Sequence, residues 1–120
     1  MIPYTVYKVF HLTGLFMVIL GLGGLMLARL AGASLEKPIR RRAAITHGVG
    51  LLIVLIGGFG MLGGMSPMPL WVIGKLLVWL FLGAEMALIL RKSEWVGKLW
   101  WLTILAAGFA AYLVVYKPGG

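Results

Sequence analysis

Four ionisable side chains sit inside apolar surroundings: His11, His47, Lys75 and Glu85. An imidazole can ligate a metal or pass a proton. A lysine can neutralise an anionic ligand, and a carboxyl group can carry a proton. Ionisable residues inside a membrane are costly and are functional candidates by default. Lys75 and Glu85 share the apolar stretch "GKLLVWLFLGAE", which runs from Gly74 to Glu85. On a helix they would be separated by about 15 Å of rise and about 80° of rotation. They cannot pair with each other, so each needs its own partner.

Other chemistries are excluded by what is missing. The chain has no cysteine, so it has no thiolate metal site, disulfide or cysteine nucleophile. It has no aspartate, and Ser34, Ser66 and Ser93 fall in connections without a histidine–acid pair beside them. Hydrolysis by a triad or by paired carboxylates therefore has no support. Two histidines cannot close a zinc site. "GLGGLM" lies within an apolar run with no strand before it, which excludes a nucleotide-binding loop.

The elements that must position these residues are membrane spans. The chain has 120 residues, of which 62% are hydrophobic and 12% charged. A soluble domain has about 45–50% apolar residues. Apolar runs of about 20 residues cross a bilayer, and helices do so because they satisfy their own backbone polar groups. The spans are about 4–30, 43–65, 70–90 and 95–116. The expected fold is an all-α membrane protein, a four-transmembrane-helix up-down bundle with short loops, forming a single integral membrane domain over 1–120. "AGA" at Ala31–Ala33 has the residues of a cleavage site, but the preceding run is too long for a signal peptide and Arg29 interrupts its end. The first run is kept as a span.

The net charge of +8 is not the mark of a nucleic-acid binder, because it is distributed around the spans. Arg29, Lys37, Arg40, Arg41 and Arg42 lie around the first connection, and Arg91, Lys92 and Lys98 around the third. Eight of the eleven basic residues thus face one side, which the positive-inside rule assigns to the cytoplasm. Both termini and "GGMSPMP" are then expected on the non-cytoplasmic side, in a bacterial inner membrane.

Depth groups His11 with Lys75 toward the outside and His47 with Glu85 toward the cytoplasm. His11 shares a helical face with Tyr7, Gly14 and Val18, and Gly14 offers room beside the imidazole for a partner or a flat ligand. An interhelical hydrogen bond is the plainer role for it. His47 reads as an interfacial histidine, and Lys75 can snorkel outward. Glu85 is too short to snorkel. It is either neutral or paired with His47 or Arg29, and it is the candidate proton carrier. Gly50, Gly57 and Gly64 recur every seven residues, and Gly60–Gly64, Gly24–Ala28–Gly32 and Ala107–Ala111 are small-xxx-small patterns that suit close helix packing. A shift of sixty residues aligns Gly14, Val18, Leu20, Leu22, Gly23, Met26 and Leu30 with Gly74, Val78, Leu80, Leu82, Gly83, Met86 and Leu90. This suggests two related hairpins, with Lys75 matching Leu15, one turn from His11.

"YKVFHLTG" early in the first span and "GKLLVWLFLG" early in the third resemble a group of small four-span bacterial membrane proteins. It includes SirB-like proteins, CopD-like copper-resistance domains and the HemJ type of protoporphyrinogen oxidase. His11 and Lys75 are the matching positions. The resemblance implies a haem- or tetrapyrrole-associated protein in which His11 is the haem-iron ligand and binds cofactor together with Lys75. Lys75 and Glu85 are then the catalytic candidates, and His47 is the secondary one. Haem b is the implied cofactor, and Met61 or Met65 offers a sixth ligand. "GLGGLMLARLAGA" carries Arg29 but neither the tryptophan nor the second histidine that the oxidase type has in the corresponding stretch, so the SirB-like group is the better match. The competing expectation is a non-enzymatic accessory or structural subunit, in a larger membrane complex or a homo-oligomer. There Lys75 and Glu85 would meet a partner chain.

Overall fold

The computed structural model describes residues 2–63 and 68–119. Among the described residues there are four long helices and no strand: α1 (Tyr4–Leu30), α2 (Lys37–Leu62), α3 (Leu70–Arg91) and α4 (Val96–Tyr116). A short 3-10 turn, Ser93–Trp95, leads into α4. Each long helix is apolar and long enough to cross a bilayer. The all-α fold expected from the sequence is present, and the chain is an integral membrane protein.

The helix limits follow from local chemistry. Pro3 and Pro69 stand in extended conformation just before α1 and α3. The first amides donate to their carbonyls: Val6 and Tyr7 to Pro3, Val72 and Ile73 to Pro69. Gly32, at φ 71°, turns the chain out of α1 in a left-handed conformation that a β-carbon would oppose. α2 begins at Lys37, six residues before the apolar span starts at Ala43. Lys37, Arg40, Arg41 and Arg42 are therefore helical rather than looped. Pro38 sits in the first turn of α2, where its missing N–H costs nothing, and arginine and lysine are good helix formers. Gly64 and Met65, each named above as a candidate, lie outside the described residues.

The chain divides into two compact units, Met1–Met65 and Ser66–Gly120. In the first, α1 and α2 are antiparallel and meet backbone to backbone. A β-carbon placed at Gly14 would lie 2.7 Å from both the Gly50 carbonyl oxygen and the Val54 amide nitrogen. One at Gly50 would lie 2.8 Å from Cβ of Met17, and one at Gly57 would lie 2.7 Å from the His11 amide nitrogen. Gly21 similarly faces Ala43 and His47, and Gly60 faces the Tyr7 ring. Gly50 and Gly57, two of the seven-residue glycine series, thus lie in the seam against α1, as small residues permit. Gly24 and Gly32 have no atom within 4 Å of an added β-carbon, so that stripe lies outside the α1–α2 seam.

In the second unit, α3 and α4 are also antiparallel, but side chains separate them. Gly74 receives Leu113, whose Cδ1 would be 2.8 Å from an added β-carbon. Gly119 receives the side chain of Leu70 near the same end. Gly14 and Gly74, matched in the sixty-residue repeat, each face the partner helix of their own hairpin. One admits backbone and the other admits a leucine.

Candidate functional site

In the first unit, α1 carries His11 and α2 carries His47. His11 is 8% exposed, and its Nδ1 lies 2.8 Å from the carbonyl oxygen of Val54. A carbonyl can only accept, so Nδ1 donates. A neutral imidazole in this bond has its lone pair on Nε2. The ring passes beside Gly58, where a β-carbon would lie 3.3 Å from Cε1. Glycine at 57 and 58 is what lets the imidazole reach across to α2. The room expected beside Gly14 is filled by the backbone of α2, so that glycine serves helix packing and not a flat ligand.

His47 is 3% exposed and packs against α1 at Gly21, with its Cβ 3.0 Å from an added β-carbon there. The residue expected at the interface from its closeness to the basic run is thus covered by α1. α2 begins ten residues before it, nearly three helical turns at about 3.6 residues each, which carries Lys37 and Arg40–Arg42 beyond this contact.

In the second unit, α3 carries Lys75 and Glu85. Lys75 is half-buried, and its ammonium lies 5.9 Å from the ring centroid of Trp71, one turn toward the start of α3. This is the direction in which side chains lean on a helix. Lys117, just past α4, brings a second ammonium to 5.3 Å from the same ring. Its backbone is left-handed at φ 48°, an uncommon conformation for a non-glycine residue. Cations over an indole face are attracted to its π-system. Two of them on one ring repel each other and favour an anion between or beside them.

Glu85 is fully buried. Its partner is Thr103 on α4, a residue the sequence reading passed over. The Thr103 hydroxyl donates to Oε2 at 2.6 Å and also lies 2.8 Å from the carbonyl oxygen of Leu99, one turn back on α4. One hydroxyl hydrogen is therefore offered two acceptors. Oε1 of Glu85 has no hydrogen-bond partner among the described residues. The carboxyl is thus tied to α4 by one oxygen only. A second hydrogen, carried by the carboxyl itself, would complete a chain from Glu85 through Thr103 to Leu99. Threonine in an apolar helix gave one usable signal: Thr103 is the sole hydroxyl in α4 besides the two tyrosines.

No group of three or more histidine, cysteine, aspartate or glutamate residues is poised to hold a metal ion among the described residues. A single-histidine haem ligand does not need such a group. For that role His11 has the right tautomer, because a ligating imidazole characteristically donates its other nitrogen to a carbonyl or carboxylate. Comparison with family models, curated proteins and solved structures finds no match for this chain.

Proposed function

We propose that this is a haem- or tetrapyrrole-associated membrane protein, with His11 as the axial ligand of a b-type haem. The observation that carries the reading is the bond from His11 Nδ1 to the Val54 carbonyl, 2.8 Å long. It makes Nδ1 the donor and ties the ring to α2, as the outer nitrogen of a metal-ligating histidine is tied. Haem, when bound, supplies one-electron chemistry that the protein's own side chains lack. Within the second unit, Lys75 and Lys117 gather two positive charges on Trp71, which suits an anionic group. Glu85, hydrogen-bonded to Thr103, is the carboxyl suited to hold a proton. The protein belongs on this reading to a bacterial inner membrane, with both termini away from the cytoplasm, as the basic residues near the first and third connections favour.

The test is an absorption spectrum of protein purified from a haem-replete host. A Soret band is expected in the wild type. His11→Ala should abolish it and His47→Ala should retain most of it. A colourless wild type that also fails to take up added haemin rejects the reading.

A second reading has its own support. His11 and Glu85 each spend a hydrogen bond on the other helix of their own hairpin. Such bonds knit membrane helices together. On this reading the protein is a non-enzymatic accessory subunit of a larger membrane complex or a homo-oligomer. It would purify colourless, and together with other subunits or as a defined oligomer.

A further inference from the structure

The start of α2 has a feature that neither functional reading uses. A groove of about 470 Å³ is lined by Lys37, Pro38, Arg41, Arg42, Ile45 and Thr46. Pro38, Arg41, Arg42 and Ile45 follow the i, i+3, i+4, i+7 spacing of a single helical stripe. The α1-facing side of α2 is a different one: His47, Gly50, Val54 and Gly57 are its buried residues. Pro38 is about 180° around the helix from His47. The groove therefore opens away from the α1–α2 seam.

Its chemistry changes along its length. Lys37, Arg41 and Arg42 give three cations at one end, and Ile45 with the ring of Pro38 gives apolar surface. Thr46 adds a hydroxyl at the other end. From Lys37 to Thr46 the helix rises about 13 Å, and the part of α2 free of lysine, arginine and acidic residues begins at Ala43. The cationic end thus projects past the apolar span while Ile45 and Thr46 lie within it. Arginine forks match phosphate oxygens two at a time. A ligand that suits all of this has a phosphate anion at the level of the arginines and a hydrocarbon chain running inward. Glu36, just before the helix, is the acidic neighbour in sequence, and it is outnumbered by Lys37 and Arg40–Arg42.

We infer that this groove is a binding site for an anionic phospholipid, which places its phosphate on Arg41 and Arg42 and its first acyl carbons against Ile45. The shared chemistry with free phosphate is the anion alone. The apolar half of the groove and its place at the edge of the span argue for the lipid.

The experiment uses the full chain, purified in a neutral detergent and titrated with phosphatidylglycerol or phosphatidylcholine. Native mass spectrometry reads the bound lipid. Wild type should hold one phosphatidylglycerol per chain in preference to phosphatidylcholine. Arg41→Gln with Arg42→Gln should weaken phosphatidylglycerol retention about tenfold or more, since each basic contact at a membrane surface carries a substantial share of anionic-lipid attraction. Arg40→Gln with Lys98→Gln removes the same charge outside the groove and should change retention less than about twofold. Equal loss in both pairs, or no preference for phosphatidylglycerol, overturns the site. Inorganic phosphate that displaces the lipid completely at equal concentration also overturns it, in favour of a free-anion site. If the arginine pair does not fold, Ile45→Gln tests the apolar end with every charge kept. Retention should fall about threefold or more, because acyl burial contributes strongly per methylene, and unchanged retention would again sink the proposal.

Discussion

The hydroxyl of Thr103 on α4 stands 2.6 Å from Oε2 of Glu85 on α3. It ties the least tolerable side chain of an apolar helix to its hairpin partner. Glu85 is fully buried, and its second oxygen has no hydrogen-bond partner among the described residues. Removing Thr103 alone should therefore be costly. Thr103→Val is expected to destabilise the protein by about 1–3 kcal/mol, the range for stranding a buried polar group. The double change to Glu85→Leu with Thr103→Val should recover part of that loss, because an apolar pair of similar volume strands nothing. Thermal unfolding in detergent would measure both. A double variant less stable than the sum of the two singles would contradict the pairing.

Glu85→Gln separates a proton-carrying role from a packing one. The amide keeps hydrogen bonding to Thr103 but cannot release a proton. Helical content and stability are expected to stay near wild type, while any proton-linked turnover is lost. Glu94→Leu, at an exposed site in the third connection, should be silent in both measurements. Full proton-linked turnover in Glu85→Gln would remove Glu85 from the chemistry.

The α1–α2 seam makes a sharp contrast between glycines of one helix. Gly14→Ala puts a methyl group 2.7 Å from backbone atoms of Gly50 and Val54, which no rotamer change can relieve. A loss of about 1–3 kcal/mol is expected, as for other overpacked cores. Gly23→Ala meets nothing within 4 Å and should be neutral or slightly stabilising. Comparable melting temperatures for the two variants would show that the seam is looser than the structure describes.

On the proposed haem reading, Lys75→Met should lower haem occupancy without abolishing the Soret band, because it removes a positive charge and leaves His11 in place. Lys117→Met should act in the same direction, since both ammonium groups gather on Trp71. Haem titration of the purified variants measures this. Occupancy unchanged in both would detach the Trp71 lysines from the ligand.

Reporter fusions address orientation. Fusion at Gly120 of a reporter active only outside the cytoplasm should give signal, whereas one active only in the cytoplasm should not. The reverse result would invert the assignment drawn from the basic residues near the first and third connections.

The sequence by itself determined that the chain is helical and membrane-embedded, and it located the helices closely. Apolar runs near 20 residues leave few alternatives in lipid, and prolines and glycines mark the breaks. α1 and α3 fall where the apolar runs at 4–30 and 70–90 place them, within a residue at each end. Only α2 starts well before its apolar span, because a proline and four basic residues are compatible with a helix and hydropathy does not register that. The sequence also singled out His11, His47, Lys75 and Glu85, since rare ionisable residues stand out against an apolar background. It did not reveal their partners. His11 meets the carbonyl of Val54, a backbone atom that every residue possesses and that leaves no mark on residue type. Glu85 meets Thr103, whose role depends on which face of α4 turns toward α3. Nor could spacing tell that Gly14 admits the backbone of α2 while Gly24 lies outside that seam. Those choices are made by helix register and rotation, which arise from the packing of many side chains together, so tertiary structure alone decides them.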